Sequence, residues 1–368
     1  MIDGGRFDRA QKSPVFNELK TKSIFFSNSV TYGPHTIVAM HAVFSGSYGC
    51  RTGTNSYWST YQFKKDRFKT LTEYLHDTNY YTCADIVNKL VIPKQGFDEF
   101  LIHNEHKDNL IERHSSLLNR MKAKNDEEIN FFLYLQYSNI HTGIMNEVLK
   151  VYDNFSKEYF DNIELNKKRY DDLFKKAEQY LQVILQKIIS LHLNENSLIL
   201  IMSDHGISIG EKIGERAYGA FCYDYTLRTF TYFMYPEINP IEISQQVRTI
   251  DFMPTILNYL QILPDHNYES IDGESLFPLI NGKSLKEKTA YSETGNPLDG
   301  KRPPEKPNIK SIRTSNWKLI FNEYNNTKEL YDLKNDPFEQ INLIGKGLEI
   351  EKILWNELRS IQEKANKS

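Results

Sequence analysis

Short apolar runs alternate with amphipathic stretches along most of the chain. That alternation predicts an α/β fold. Ser23–Ser29 reads as a strand. After the Gly33-Pro34 turn, Thr36–Phe44 reads as a short helix with Ile37, Met40, His41 and Phe44 on one face. A helix at Phe68–Asp77 and strands at Tyr80–Ile86 and Asn130–Tyr137 follow. The clearest helix runs from about Tyr170 to Leu191, where Leu173, Ala177, Tyr180, Leu181, Ile184, Ile188 and Leu191 recur at helical spacing. Ser197–Met202 is a continuous apolar run, which fits a strand covered on both faces, as in the middle of a parallel sheet. It ends in Ser203-Asp204-His205-Gly206. Ligands of open α/β sheets gather beyond the carboxyl ends of the strands, so that end is a place to look for chemistry. Leu227–Tyr235 reads as a strand and a helix begins near Arg248. The pattern changes near residue 280 to short strands at Thr289–Ser292, Ile309–Arg313 and Lys318–Asn322, a surface loop at Gly300–Pro307 and a last helix from about Leu348 to Ala365. Two units are therefore expected, an α/β domain over 1–280 and a small strand-rich part over 281–368.

Composition narrows this picture only a little. The 368 residues are 40% hydrophobic and include 23 Tyr and 21 Phe, enough for a sizeable core, so disorder is excluded. A net charge of -3 argues against a general nucleic-acid binder, which carries a basic excess. The three cysteines are widely spaced and imply neither a disulfide framework nor a cysteine-rich zinc site. No apolar run approaches the roughly 18 residues that would span a bilayer, so no membrane span is expected. The opening residues, MIDGGRFDRA, do not read as a leader, and the chain as written is expected in the cytoplasm.

Three places could act together. Asp3 stands at a strand end, Thr36 at a helix start, and Asp204 and His205 at the end of the 197–202 run. Two carboxylates, a neutral imidazole and a hydroxyl oxygen make a reasonable ligand set for a divalent metal. A hydroxyl at a helix N-terminus would also sit where free N–H groups favour an anion. A metal there would lower its pKa and make it a nucleophile. Each residue has a plainer explanation too. Asp after a strand forms turns, Thr at a helix start caps it for ~1 kcal/mol, and Asp-His-Gly can be a tight turn.

Longer blocks add a resemblance. Ser197–Gly206, followed by Gly210-Glu211, resembles the NTLIIFTSDHGExxGE block of sulfatases and their alkaline-phosphatase-superfamily relatives. Ile2–Asp8 resembles IDxxRxD, and Ser13–Leu19 with Ile24–Asn28 resembles TPNLDxLAxxGxxFxN. Asn79–Ile86 with Gly96–Glu99 resembles GYxTAxxxx…GFDE, with Asn79 in place of the glycine. Phe131–His141 resembles FFLFLHYxDPH, Thr249–Leu257 resembles SxxDIxPTLL, Asp272–Leu276 resembles DGxSL, and Leu330–Glu339 resembles LYDLxxDPxE. Each block is weak, but they fall in collinear order over nearly the whole chain. The resemblance implies an alkaline-phosphatase-like, mostly parallel sheet flanked by helices, with a small C-terminal strand-rich subdomain. It implies metal ligands at Asp3, Thr36, Asp204 and His205, a nucleophile at Thr36, and supporting roles for His141 and His35.

The departures matter as much. Sulfatases carry C-x-P-S-R where this chain has Thr36-Ile-Val-Ala-Met40, so formylglycine chemistry is not implied and Met40 replaces the arginine. Thr is the nucleophile in phosphatase, phosphodiesterase and phospho-group transferase relatives, which tilts the substrate toward phosphate esters. No base stands at the expected place before Tyr223-Asp224…Arg228; Lys212 and Arg216 are the nearby candidates. His41 reads as a buried, satisfied histidine. Tyr218, Tyr223, Tyr225, Tyr232 and Tyr235 could wall a sugar site but read more simply as strand aromatics.

The expected activity is a metal-dependent hydrolase that cleaves a phosphate or sulfate ester through Thr36, using Mn, Mg or Ca, with Zn also allowed by the single imidazole. The substrate would be a small-molecule, glycan or lipid-linked anionic ester. A phospho-head-group transferase, or a non-catalytic binder of anionic glycans, are the competing readings. One expectation concerns length. Only Met1 and Ile2 precede Asp3, whereas a central strand needs about five residues. The first strand therefore reads as shortened, with Asp3 at risk of misplacement.

Overall fold

The computed structural model describes residues 1–148, 157–215, 217, 219–296 and 304–367. Twelve strands carry the fold among these residues: β1 (Ile24–Val30), β2 (Tyr81–Ile86), β3 (Glu99–Ile102), β4 (Phe131–Leu135), β5 (Ile199–Met202), β6 (Arg228–Met234), β7 (Ile241–Ile243), β8 (Val247–Arg248), β9 (Ala290–Thr294), β10 (Ile309–Arg313), β11 (Trp317–Asn322) and β12 (Thr327–Asp332). One sheet runs β3-β2-β4 with both pairings parallel. A second runs β5-β6-β1-β7, with β8 also on β1. Here β1 is parallel to β7 and β8, and only β6 runs against its neighbours.

Ile2 joins the two sheets. It bridges Tyr137 on one side and Ser203 on the other, both in parallel. Its N–H donates to the Met202 carbonyl at 2.8 Å, and the Asp3 N–H donates to the Tyr137 carbonyl at 3.0 Å. Two paired residues thus seat Asp3 between β4 and β5, where it is only 2% exposed.

The apolar run at 197–202 forms β5 beside this joint, between Ile2 and the antiparallel β6. Ile199 and Leu200 are half-buried, and Ile201 and Met202 are buried. The helix Thr36–Ser45 was expected to bury one face, yet all ten of its residues are buried. Met40, Val43 and Phe44 pack with Phe26, Tyr134 and Phe252 in one apolar cluster. Val38 and Ala42 pack with Ile312, Leu319 and Leu354 in another. The C-terminal antiparallel sheet β12-β11-β10-β9 and the helix Glu349–Lys367 cover the side that the sequence pattern left open. The long helix begins earlier than its periodicity suggests, at Ile163, and ends at Ser190. Part of the loop at Gly300–Pro307, and Arg216 and Tyr218, lie outside the described residues.

A buried charge cluster ties the C-terminal sheet to the α/β part. Lys318 donates to Asp224 at 3.0 Å and to Glu339 at 2.9 Å, and Arg313 binds Asp224 at 2.8 Å. Lys318 and Glu339 have essentially no exposed side chain. Removing one member of such a network leaves the others buried and uncompensated. Lys318→Met is therefore expected to destabilise the chain by about 3–5 kcal/mol, read as a lower denaturation midpoint in urea.

Candidate active site

The carboxyl ends of the parallel strands converge on four side chains. Asp3 follows the Ile2 joint, Thr36 opens its helix after β1, and Asp204 and His205 follow β5. Asp3, Asp204 and His205 offer ligand atoms that all lie within 4.8 Å of one another. Thr36 Oγ1 stands 3.3 Å from Asp3 Oδ2 and 3.4 Å from His205 Nε2. His205 Nε2 is 3.7 Å from Asp3 Oδ1 and 3.5 Å from Asp204 Oδ2.

Local backbone features set these positions. Gly4 adopts φ +70°, which turns its N–H onto Asp204 Oδ1 at 3.1 Å. The His205 N–H donates to the same oxygen at 2.9 Å. His205 Nδ1 lies 2.7 Å from the Gly206 carbonyl, so Nδ1 carries the proton and donates. That leaves the Nε2 lone pair facing Thr36 and the two carboxylates, the tautomer a metal ligand needs. Gly206 is required for this turn, because a Cβ there would lie 2.1 Å from the Tyr225 carbonyl oxygen. Asp3 Oδ2 also accepts from Gln136 Nε2 at 2.8 Å. Gln136 and Gly4 are contacts that motif reading did not assign.

The remaining oxygens reveal what the cluster lacks. Asp3 Oδ1 and Asp204 Oδ2 are buried without a hydrogen-bond partner. Burial first, and the facing Asp204 charge second, push the Asp3 carboxyl up from its ordinary 3.8 to about 7. Buried, facing carboxylates with unsatisfied oxygens call for a cation. A divalent ion fits this donor set of two carboxylates, one imidazole and one hydroxyl.

Two histidines border the cluster. His141, on the short helix Asn139–Gly143, holds Nδ1 3.9 Å from Asp3 Oδ1, and burial lowers its pKa. His35 precedes Thr36, its ring 6.0 Å from the Tyr57 ring. Burial, with a smaller push from His205, lowers the His35 pKa to about 3. His41 lies away from these groups, its Nε2 3.2 Å from the Leu90 carbonyl.

Other residues singled out in the sequence are engaged elsewhere. Lys212 donates to the Glu339 carbonyl and lies 4.8 Å over the Tyr223 ring, which draws it toward the C-terminal unit. Arg6 holds Glu211 at 2.5 Å and Asp8 at 2.9 Å, so the two outer motif blocks brace each other. Met40 is 1% exposed within the core. Tyr232 is fully buried, stacked 4.7 Å from Phe25, as a strand aromatic.

Comparison with known proteins gives consistent results. The chain matches the sulfatase family over residues 7–262 and the N-sulphoglucosamine sulphohydrolase C-terminal family over 217–364. It is 27% identical to an ulvan-active sulfatase of Formosa agariphila over 181 residues, 46% of this chain and 33% of that protein. The matched stretch thus spans about a third of that relative's length. The structure superposes on a protein solved with its substrate D-glucosamine-2-N,6-O-disulfate, with a TM-score of 0.75 and 18% identity over 100% of this chain and 97% of the other. It also superposes on a phosphonate monoester hydrolase of Silicibacter pomeroyi, with a TM-score of 0.68 and 14% identity over 100% and 94%. At these identities the superpositions show the fold. Among the described residues, no helix is long and apolar enough to cross a membrane.

Proposed function

The chain belongs to the sulfatase family, and from that premise we propose that it is a metal-dependent hydrolase of anionic esters with Thr36 as its nucleophile. The observation that carries this reading is the Thr36 hydroxyl at a helix N-terminus, within 3.4 Å of both Asp3 and His205, beside two buried carboxylate oxygens that lack partners. Asp3, Asp204 and His205, with Thr36, would hold a divalent ion. Bound there, the ion would supply positive charge that favours the Thr36 alkoxide and draws in the ester's anionic oxygens.

Thr36 Oγ1 then attacks the central atom of the ester, the bond to the leaving oxygen breaks, and the substrate's anion is carried as an ester of Thr36. Water attacks that ester, the bond to Oγ1 breaks, and the substrate's anion leaves as the Thr36 hydroxyl is restored. The N–H groups of the first turn of the Thr36 helix face the developing charge. His35, next to Thr36 in the chain, and His141, with Nδ1 3.9 Å from Asp3 Oδ1, stand beside the cluster; burial lowers both pKa values, which holds them neutral and weakly basic, so they would act as hydrogen-bond partners of the substrate.

The nucleophile bears on the substrate. A threonine hydroxyl lacks the second oxygen that a hydrated aldehyde uses to expel sulfate. A phosphothreonine, by contrast, is released by direct attack of water at phosphorus. We therefore favour a phosphate or phosphonate ester over a sulfate, carried on a glycan or small molecule. Among proteins of the same fold, the phosphonate monoester hydrolase supports this preference, and the neighbour solved with a sulfated glucosamine supports the sulfate alternative.

The test is purified protein with Mn, Mg, Ca or Zn on aryl phosphate, phosphodiester, phosphonate and sulfate esters. Turnover of a phosphorus ester is expected to exceed that of the matching sulfate by about 100-fold or more, since Thr36 would have to regenerate by attack at sulfur. No turnover of any ester would leave the second reading, a non-catalytic binder of anionic glycans. Met40, packed in the core where the family carries an arginine, favours it.

A further inference from the structure

A second chain of buried polar groups lies behind the site. Asp85 stands in β2, His103 directly after β3, and Ser138 at the head of the helix that carries His141. Asp85 Oδ1 and His103 Nδ1 are 2.9 Å apart, and His103 Nε2 and Ser138 Oγ are also 2.9 Å apart. Asp85 and Ser138 are fully buried and His103 is 2% exposed. Arg113 donates to the other Asp85 oxygen, and the Asp85 pKa is lowered: burial opposes ionisation, but His103 and Arg113 outweigh it. An ionised Asp85 only accepts, so His103 Nδ1 is the donor. With the ring neutral, His103 Nε2 accepts the Ser138 hydroxyl proton.

The order Asp-His-Ser matches a hydrolytic triad, yet Ser138 has no surface at which an ester could meet it. The chain ends instead on backbone. The Ser138 carbonyl accepts from the Thr142 N–H at 3.0 Å and from Thr142 Oγ1 at 3.2 Å. Thr142 Oγ1 also donates to Glu105 at 2.8 Å. His141 is the residue just before Thr142, in the single turn these bonds tie down.

We infer that Asp85, His103 and Ser138 form a positioning brace that fixes the turn bearing His141 against Asp3. The activity readout of this inference rests on the proposed hydrolase reading. Asp85, His103 and His114 also lie close enough to hold a metal. But Arg113 already supplies the cation Asp85 needs and both His103 nitrogens are engaged, which leaves only His114 Nε2 of this cluster without a hydrogen-bond partner.

Ser138→Ala, Ser138→Thr and His141→Ala, alone and with Ser138→Ala combined with His141→Ala, test the brace. Ser138→Ala is expected to lower kcat about tenfold with KM nearly unchanged, because outer partners that orient a site residue are worth about 10–100-fold. Ser138→Thr, which keeps the hydroxyl, restores kcat. In the His141→Ala background, Ser138→Ala adds no further loss. The His141 ring resonances, followed by NMR in protein labelled at histidine, move in Ser138→Ala and not in Ser138→Thr. That readout decides the brace even if the wild type cleaves no ester, an outcome that would sink the hydrolase reading alone. If Ser138→Ala does not fold, Ser138→Cys, a weaker donor, gives the same order at smaller size. Unmoved His141 resonances, or a full additional loss in the double variant, would overturn the brace. So would a metal equivalent that survives Asp204→Asn and disappears with His114→Gln.

Discussion

Thr36→Ala is expected to lower ester turnover by on the order of 10⁴-fold or more, measured with the divalent ion that best supports the wild type. The size follows from the role. Removing a nucleophile removes the covalent route itself, whereas removing a group that merely binds substrate costs far less. The substitution is mild for the fold. Thr36 loses one hydroxyl and one methyl at the buried first position of its helix, where the hydroxyl bonds Asp3 Oδ2, so stability should fall by about 1–2 kcal/mol. Thr36→Ser keeps the oxygen and should retain activity within about tenfold of wild type. Activity in Thr36→Ala that matched Thr36→Ser would remove the nucleophile and leave the metal cluster to be explained some other way.

The second large effect is on stability. A divalent ion at about 100 times its Kd is expected to stabilise the protein by about 2.7 kcal/mol, several degrees in Tm, because only the folded state assembles the ligands. The effect has a pH sign. The Asp3 carboxyl is raised from its ordinary 3.8 to about 7, so between those values the folded metal-free protein holds a proton that the unfolded chain has lost. Stability of the metal-free protein therefore falls as pH rises from about 4 to about 7. The ion replaces that proton, so the gain in Tm on adding it should be larger at pH 8 than at pH 5.5. Asp204→Asn gives the complementary result. It should abolish most of the metal-dependent gain while raising the Tm of the metal-free protein, because the charge facing Asp3 is gone. Calorimetry with and without Mn or Ca at both pH values checks all of this. A metal increment that is the same in Asp204→Asn as in wild type would remove the ion from this cluster.

Much of this arrangement is legible in the chain, but for uneven reasons. The long helix 163–190 declares itself because its buried positions repeat every turn. Asp3, Thr36 and Asp204-His205 are visible because strand ends and helix starts can be read locally, and because the motif blocks fall in one order. Their mutual distances cannot be read locally, since they depend on Ile2 pairing with Tyr137 and Ser203. Gln136 escapes notice for the same reason. It sits in a strand-end block where nothing distinguishes a side chain that reaches Asp3 from one that faces solvent. Lys212 shows the converse. Its spacing nominates it for the site, but Glu339 and Tyr223, distant in sequence, hold it elsewhere. The brace of Asp85, His103 and Ser138 leaves no local pattern, because its members stand on three different segments.

The two-residue joint at Ile2 also bears on how the molecule would reach this state. Asp3 and Asp204 are 201 positions apart and share a site only when Ile2 has docked between β4 and β5. Closing so long a loop is entropically costly and comes after local contacts have formed. Helical signal should therefore return early in refolding, carried by segments such as 163–190. Metal-binding competence should return last, as the step that brings two like charges together in a dry pocket. A divalent ion would then act on this final docking by holding it closed, with little influence on the rate at which the helices appear.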